Sequence, residues 1–361
     1  MRWAAIAAIG IPCASAVAFV AVKLTGPSDA GRIFLRLLRF TLGVEILGLV
    51  ILALTGFVYE RRAESRDLKL YHPPGRLVDI GGYRLHLSCA GSGSGPTVIL
   101  EYGHQATYFD WSLVQPEIAK FARVCFYDRA GYGWSDPSPR PRVPSVMVEE
   151  LRTLLHAAGE TPPYILVGHS YGTFNAEMFA HKFPDEVSGL VLVDGMHTFA
   201  LFPPPLRERI SMRAMQFMVP FGLPRWRGWC GGTGPEAMRG EKQAISCRAN
   251  LYGVFYRERE AYPQSVLEMR TITSLGSVPL IVIPRDPAIG KVSAADTSWE
   301  RVQDQKLQLS TNAELVIATG SGHDVPLARP DVIVAAVRKL VDQASDTGGQ
   351  PGNSPRKALP M

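Results

Sequence analysis

A serine flanked by two glycines is the residue of this chain best suited to act as a nucleophile. Residues 168–172 read GHSYG and match the pattern G-x-S-x-G. The apolar run Tyr164–Val167 leads into the pattern and a helical pattern follows it, which predicts a sharp strand-to-helix turn. Such a turn would lift the Ser170 hydroxyl out of a sheet. It would also direct the backbone N–H of Tyr171, at the start of the helix, toward an oxyanion.

A serine hydroxyl becomes a good nucleophile only when a base accepts its proton, and His323 is the candidate base. It lies in the run GSGHD (residues 320–324), between the last predicted strand and the last predicted helix. That position is at the carboxyl edge of a parallel sheet, the same edge as Ser170. The small residues around His323 would allow its loop to approach the serine. The sequence therefore predicts a serine–histidine pair.

Two aspartates could orient the imidazole of His323. Asp286 follows the predicted strand Pro279–Ile283, and Asp194 ends the strand before it. Both give the chain order Ser, Asp, His. We favour Asp286 and keep Asp194 as the alternative acid. Asp324 is a poor candidate because adjacent side chains diverge.

A second oxyanion donor is expected from the loop after the third predicted strand, where residues 101–105 read EYGHQ. Gly103 would let the backbone turn inward, and the N–H of His104 could then face the oxyanion. The His104 side chain could contact substrate instead, or the segment could be a plain surface loop. Residues 128–135 (DRAGYGWS) are interpreted as scaffolding for the site.

Short apolar strands alternate with helical patterns through most of the chain. The predicted strands are Arg76–Ile80, Arg84–Cys89, Thr97–Glu101, Arg123–Tyr127, Tyr164–Gly168, Gly189–Asp194, Pro279–Ile283 and Ala313–Ile317. The predicted helices are Trp111–Phe121, Ser145–Ala158, Tyr171–Phe183 and Pro330–Val341. This alternation predicts an α/β fold with a mostly parallel central sheet that helices cover on both faces. Gly81-Gly82 predicts an antiparallel hairpin at one edge.

Residues 202–262 interrupt the alternation and are predicted to be a cap insertion over the carboxyl edge of the sheet. The segment contains many Gly and Pro together with methionine and tryptophan: Met212, Met215, Met218, Trp226 and Trp229. This composition suits an apolar substrate or a membrane surface, and it equally suits packing of the cap on the domain. The tail from residue 345 to 361 is rich in Gly, Pro and Ser and is predicted to be disordered.

The front of the chain has the composition of a membrane anchor. Residues 4–22 carry no charge, and Phe40–Tyr59 carries only Glu45. Each run approaches the ~20 residues that cross a bilayer. We favour two transmembrane helices within residues 1–62, followed by a linker at 63–75 and a catalytic domain at 76–344. A signal peptide followed by one anchor is the alternative. Basic residues follow both runs, so the side of the membrane is left open.

Composition excludes several other classes. The net charge of +5 is spread without a long basic run, so no nucleic-acid partner is expected. The five cysteines form no CxxC pair and no zinc-type spacing with histidine, so no metal is expected. Cys230 and Cys247 flank a loop-rich segment and could pair if the domain lies outside the cytoplasm. Buried free cysteine is the alternative.

The GHSYG turn, the DRAGYGWS loop and the terminal Gly-His together resemble the α/β-hydrolase superfamily over about Leu77 to Asp342. Within it the chain looks like membrane-anchored bacterial serine hydrolases of the esterase and proline-iminopeptidase-like branches. The resemblance implies Ser170 as nucleophile, His323 as base, and the N–H groups of Tyr171 and His104 as oxyanion hole. Serine at the turn argues against dehalogenase or epoxide-hydrolase chemistry, which in this fold uses aspartate there.

The sequence thus predicts hydrolysis of an ester, or less readily an amide, in a small-molecule apolar acyl substrate, without metal or organic cofactor. Two alternatives stay open. One is acyl transfer to an alcohol or amine on the same site, which product analysis with competing acceptors would reveal. The other is a non-catalytic membrane-bound binding module, which would not react with a fluorophosphonate probe.

Overall fold

A computed structural model describes residues 29–196, 204–230, 236–289 and 294–348. Eight strands form one sheet: β1 Arg76–Asp79, β2 Arg84–Ala90, β3 Thr97–Glu101, β4 Val124–Tyr127, β5 Tyr164–His169, β6 Val187–Val193, β7 Leu280–Ile283 and β8 Ala313–Leu315. Each lies within a residue or two of a predicted strand. The continuous apolar runs become strands because both faces of the sheet are buried.

The order of the strands in the sheet is β1-β2-β4-β3-β5-β6-β7-β8. The pairs β1–β2 and β2–β4 are antiparallel, and all the other neighbouring pairs are parallel. The predicted hairpin edge and mostly parallel sheet are therefore confirmed. Strand β5, which leads into Ser170, lies between β3 and β6, so residues that follow these three strands meet at one edge.

Eleven α-helices occur in the described residues: α1 Asp29–Leu70, α2 Gln115–Ile118, α3 Pro144–Ala158, α4 Gly172–Lys182, α5 Leu206–Met218, α6 Leu223–Trp226, α7 Arg239–Ser246, α8 Ala249–Met269, α9 Ala294–Leu307, α10 Val325–Ala328 and α11 Pro330–Gly348. Short 3₁₀ turns add Tyr108–Trp111, Pro184–Glu186, Val219–Phe221 and Glu236–Met238. The predicted helix Trp111–Phe121 is thus reduced to a 3₁₀ turn and the four residues of α2.

Two apolar clusters fill the space on the two sides of the sheet. One joins strand side chains such as Val98 and Val191 to Val337 and Leu340 of α11. The other joins Ile99 and Leu166 to the buried faces of α3 and α4. Alternate residues along one strand enter different clusters because successive side chains point to opposite faces. Helices on both faces therefore hold β5 and its neighbours rigidly beneath the site.

Two segments differ from their predicted structure. Helix α9 was not predicted, because its sequence AADTSWERVQDQKL is mostly polar and has little apolar periodicity. Helix α11 continues to Gly348, so the disordered tail predicted from residue 345 is wrong over its first residues, and the rest lies outside the described residues. In both segments most residues are polar, so the sequence pattern did not indicate a helix that buries only one face.

The segment predicted as a cap folds into helices. Helices α5 to α8 and two 3₁₀ turns lie between β6 and β7, and α8 extends beyond the predicted end at residue 262 to Met269. Helix α8 contains Pro263 in its interior and carries the fully buried Glu258 and Val254. Its buried side chains bring the cap sequence into the core next to the Arg129 loop.

Helix α1 is the one described helix long and apolar enough to cross a membrane, by length and composition. The candidate span is Gly31–Leu70, with a mean hydropathy of 2.2 in its most apolar window. The predicted linker at 63–75 is wrong in its first part, because the helix continues to Leu70 before the chain breaks at the His72-Pro73-Pro74-Gly75 segment. The first predicted membrane helix, residues 4–22, lies outside the described residues.

The described chain divides into two compact units. Helix α1 up to Arg62 belongs to one unit together with Pro220–Gly222, and the sheet with its helices forms the other. In the second unit, the Arg225 guanidinium lies 2.6 Å from the Asp67 carboxylate, and both side chains are buried. The last turns of α1 are therefore part of the folded domain.

Four of the five cysteines form two disulfides. Cys89 and Cys125 are directly opposed on the antiparallel strands β2 and β4 and are joined. Cys230 and Cys247 are joined within the cap, as considered in the sequence analysis. The first bridge had no counterpart among the predictions, since its cysteines are distant in sequence and only strand pairing brings them together.

Candidate active site

Ser170 stands on a strained turn between β5 and α4. Its φ is +53°, in the left-handed region that non-glycine residues rarely adopt. Its backbone N–H donates to the carbonyl oxygen of Val193 at 3.0 Å, which continues the hydrogen-bond ladder between β5 and β6. Helix α4 starts two residues later, so the Tyr171 N–H lies at a helix N-terminus. The side chain of Ser170 is only 6% exposed.

The glycines around Ser170 are required by close backbone packing. A Cβ at Gly168 would lie 2.5 Å from the carbonyl oxygen of Gly172. A Cβ at Gly172 would collide with the carbonyl oxygen of Glu101. The two glycines of the G-x-S-x-G pattern are thus needed because the turn packs closely against α4 and β3, as the sequence suggested.

His323 lies beside Ser170, although 153 positions separate them in the chain. The His323 Nε2 atom is 3.1 Å from Ser170 Oγ. With the imidazole proton on Nδ1, the serine hydroxyl donates to Nε2, which is the arrangement in which histidine can accept the serine proton. The loop after β8 carries His323, so the structure brings together the two residues that the sequence paired.

Asp194 occupies the position of the orienting acid. Its Oδ2 atom is 2.5 Å from His323 Nδ1, and its side chain is fully buried. Its Oδ1 atom accepts hydrogen bonds from the Arg285 backbone N–H at 3.1 Å and from Arg285 Nε at 3.2 Å. Burial would raise the pKa of Asp194, but the hydrogen bond from His323 and the charges of His323 and Arg285 hold that pKa below its usual value.

The preference for Asp286 as the acid is therefore corrected. Its carboxylate accepts the N–H of Gly320 and the N–H of Ala288, each at 2.8 Å, and these two bonds lower its pKa. Asp286 follows β7, which is one strand further from β5 than β6 is. Its carboxylate thus holds the start of the His323 loop, while Asp194, at the end of β6, reaches the ring.

A buried arginine fixes the loop that follows β3. Arg129 Nη1 donates to the carbonyl oxygen of Tyr102 at 2.7 Å, and Nη2 donates to that of Gly103 at 2.9 Å. Arg129 also pairs with Glu258 of α8 at 3.3 Å, and both side chains are buried. In a trans peptide the N–H is opposite the C=O, so the His104 N–H points away from Arg129. The segment 128–135 therefore supports the site, as interpreted from the sequence.

The loop from Tyr102 to His104 lies against the serine. A Cβ at Gly103 would be 3.1 Å from the Cβ of Ser170. The His104 ring packs edge-on against Phe255 and Tyr171, with centroids 4.4 and 5.7 Å apart. Burial lowers the pKa of His104 to about 4, so its imidazole is neutral near neutral pH. The close approach at position 103 favours a glycine there.

His169 was not singled out by the sequence analysis, but it positions the histidine loop. Its Nε2 atom donates to the backbone carbonyl oxygen of His323 at 2.9 Å. Burial lowers its pKa to about 4, so the ring is neutral and keeps one donor. Its place inside the GHSYG turn, next to the serine, is the one sequence signal that could have identified it.

A cavity of about 290 Å³ adjoins the site under the cap. Its lining includes His104 and Thr107 of the β3 loop, Lys242 of α7 and Asp324, the neighbour of His323. A larger cleft of about 720 Å³ is lined by Val187 and Pro279, at the amino ends of the strands and so at the opposite edge from Ser170. The smaller cavity is therefore the one next to the reactive groups.

One group of side chains in the described residues has the spacing of metal ligands: Cys89, Cys125 and Glu160. The two sulfurs are joined in a disulfide and cannot bind a metal as thiolates.

At the carboxyl edge of the sheet, the side chains of Ser170, His323 and Asp194 form a continuous hydrogen-bonded chain from hydroxyl to imidazole to carboxylate. Such a chain can move the serine proton to the imidazole while the carboxylate stabilises the resulting cation.

Comparison with known proteins identifies a matching family and several related sequences. The family model described as "Alpha/beta hydrolase family" matches residues 89–336. The uncharacterized protein YqjL of Bacillus subtilis (strain 168) is 25% identical over 262 residues, which cover 73% of this chain and 90% of that protein. With three further relatives, the shared segment is 43%, 53% or 58% of their own length, so the chain spans about half of each.

Solved structures share the architecture. A putative lipase from Acinetobacter baumannii superposes with a TM-score of 0.57 at 18% identity, over 80% of this chain and 97% of that one. The epoxide hydrolase CorEH superposes with a TM-score of 0.55 at 20% identity, over 74% of this chain and 98% of that one. At such identities the likeness concerns the fold alone.

Proposed function

From the premise that the chain belongs to the alpha/beta hydrolase family, we propose that it is a serine hydrolase that cleaves an ester, and less readily an amide, through an acyl-enzyme. One observation carries the proposal. Ser170 Oγ lies 3.1 Å from His323 Nε2, and His323 Nδ1 lies 2.5 Å from the buried Asp194 carboxylate. This is the constellation that activates a serine in hydrolases of several unrelated folds.

The reaction has two halves. Ser170 Oγ attacks the carbonyl carbon while His323 accepts the hydroxyl proton, and the tetrahedral intermediate then expels the alcohol with that proton. A water molecule, activated by His323 in the same way, attacks the acyl-enzyme and releases the acid. The N–H groups of Tyr171 and His104 stabilise the negative oxygen in both halves. The direction of the His104 N–H away from Arg129 supports its part in this step.

The choice of an ester over an epoxide or a carbon–halogen bond rests on the nucleophile. Attack by a serine on a saturated carbon would leave an ether, which water cannot cleave under mild conditions. An aspartate nucleophile avoids this because its alkyl ester can be hydrolysed at the carbonyl carbon. Ser170 therefore supports acyl chemistry, although the fold is shared with an epoxide hydrolase.

A fluorophosphonate probe tests the activated serine directly. We expect the purified protein to be labelled on Ser170, and Ser170→Ala to be unlabelled, because only a serine with a base beside it reacts at a useful rate. In-gel fluorescence and mass spectrometry of the labelled peptide provide the readout. Labelling of Ser188, whose hydroxyl is on the opposite edge of the sheet, or no labelling of the wild-type protein, would count against a serine hydrolase.

The protein is further proposed to be anchored in a membrane by α1, with the hydrolase domain on the oxidising side. The apolar span within Gly31–Leu70 supports the anchor. The two disulfides support the side, because such bonds persist outside the reducing cytoplasm. Basic residues flank the apolar part of α1 on both sides, so the positive-inside rule favours neither orientation and the disulfides alone support the proposed side.

Thiol accessibility tests this topology. In membranes from cells expressing the full chain with Cys13→Ser, we expect a maleimide-linked polyethylene glycol to leave the unfolded protein unshifted on a gel. After reduction, the same protein should gain four polymer chains, one on each remaining cysteine. Four additions without reductant would place the domain in a reducing compartment and contradict the proposed side.

A further inference from the structure

The cavity beside the active site has charges of both signs. The Asp110 carboxylate lies 3.9 Å from the Lys242 ammonium, and both side chains line the cavity. Burial raises the pKa of Asp110 to about 6, and the charge of Lys242 opposes this rise. The 3₁₀ turn that carries Asp110 contacts helix α10, which begins two residues after His323, so Asp110 lies on the His323 side of the cavity.

Two buried polar atoms of the lining have no hydrogen-bond partner among the residues that the structure describes. They are His104 Nε2 and Thr107 Oγ1, both on the loop after β3. Thr107 is only 3% exposed. Buried polar atoms are normally satisfied, because each orphaned one costs free energy. A ligand in the cavity that offers hydroxyl groups would satisfy both.

Aromatic rings complete the lining. Trp229, Tyr252 and Phe255 all face this cavity, and Trp229 is next to the disulfide-bonded Cys230. Flat rings pack well against the C–H faces of a saturated ring that carries hydroxyls at its edge. The volume of about 290 Å³ is close to the lower end of the range for small-molecule sites, about 300 to 1,000 Å³. One ring of sugar size fits this description.

We propose that the cavity binds the alcohol half of the substrate ester, and that this alcohol is a neutral polyhydroxyl group of the size of one sugar ring. The inference rests on the proposed esterase function and specifies its substrate class. It departs from the apolar substrate that the sequence suggested. The alcohol is assigned to this side because His323 must deliver a proton to the leaving oxygen, and Asp324, the neighbour of His323 in the chain, lines this cavity together with Asp110.

Charge and desolvation favour a neutral polyol over other occupants. A cationic alcohol would approach Lys242, and an anionic one would approach Asp110 and Asp324. A long alkyl chain would cover all of these groups, together with His104 Nε2 and Thr107 Oγ1, without replacing their hydrogen bonds to water. Hydroxyl groups can donate to the carboxylates and accept from the ammonium, so they satisfy both signs.

The first test compares two acetate esters on the full-length protein in detergent. We expect kcat/KM for glucose monoacetate to exceed that for octyl acetate by about tenfold or more, as the polar partners of the cavity require. In Asp110→Asn and in Thr107→Val, this ratio should fall about tenfold. Asp331→Asn changes an exposed carboxylate of α11 and should leave the ratio unchanged. A preference of the wild-type protein for octyl acetate, or an unchanged ratio in both cavity variants, would overturn the proposal.

The second test measures binding without catalysis. Calorimetry should detect binding of methyl glucoside to Ser170→Ala, and the affinity should fall at least fivefold when Thr107→Val is added. Hydrolysis of esters without sugar binding would refute the cavity proposal and leave the esterase standing. Sugar binding without hydrolysis of any ester would refute the esterase and support the cavity as a sugar site.

Discussion

Ser170→Ala is expected to lower kcat/KM for short p-nitrophenyl esters by about a millionfold, the scale on which loss of a triad nucleophile acts. The alanine removes only the oxygen that lies 3.1 Å from His323 Nε2. It keeps a Cβ, so the strained backbone at φ +53° is no worse than in the wild-type protein. The melting temperature, followed by circular dichroism, should therefore change little while turnover is lost.

Ser188→Ala is the matched control for this experiment. Ser188 is at the start of β6, where its hydroxyl donates to the carbonyl oxygen of Tyr164 at 3.3 Å. It should retain wild-type turnover. If Ser170→Ala kept more than about a tenth of the activity in a preparation free of other esterases, Ser170 could not be the nucleophile.

Replacement of the two candidate acids should lower kcat by very different factors. Asp194→Asn is expected to lower kcat about ten-thousandfold, because an amide beside His323 Nδ1 no longer stabilises the imidazolium and can hold the wrong tautomer. Asp286→Asn should lower kcat by less than about tenfold. Its amide oxygen can still accept the N–H of Gly320, so the start of the His323 loop stays in place.

Pre-steady-state kinetics with p-nitrophenyl acetate would show which step each variant affects. Asp194→Asn should slow the burst of nitrophenol release, since acylation needs the oriented base, whereas Asp286→Asn should keep a rapid burst. An Asp194→Asn enzyme that remained as active as Asp286→Asn would refute the role of Asp194. A large loss confined to Asp286→Asn would restore the acid first favoured from the sequence.

The sequence was a good guide wherever a local pattern carries the physics. The strands are short apolar runs buried on both faces, and their ends were predicted within a residue or two. Helix α9 and the end of α11 were missed because polar residues dominate them. The helix predicted at Trp111–Phe121 is a 3₁₀ turn and a four-residue helix in the connection between β3 and β4, where Trp111 and Ile118 are both buried in the core.

The cap also shows that a local sequence pattern cannot predict which distant residues come together. Its composition indicated an insertion, but the content of the cavity beneath it depends on α7 and α8. Lys242 meets Asp110 across a separation of more than a hundred positions. No periodicity or motif joins these residues, because the pair exists only when the cap is folded over the β3 loop. The apolar residues in the sequence therefore suggested an apolar substrate, while the folded lining favours a polar one.

The amino-acid sequence by itself determined the Ser170 turn, the pairing of Ser170 with His323 and the sheet that carries them. These follow from glycine requirements, apolar runs and chain order, all of which are local or one-dimensional. Only the tertiary structure decided that Asp194, not Asp286, lies beside His323, that Arg129 holds the β3 loop, and which side chains line the cavity. The physical reason is that strand order in the sheet sets which strand ends are neighbours, and β6, not β7, lies next to β5.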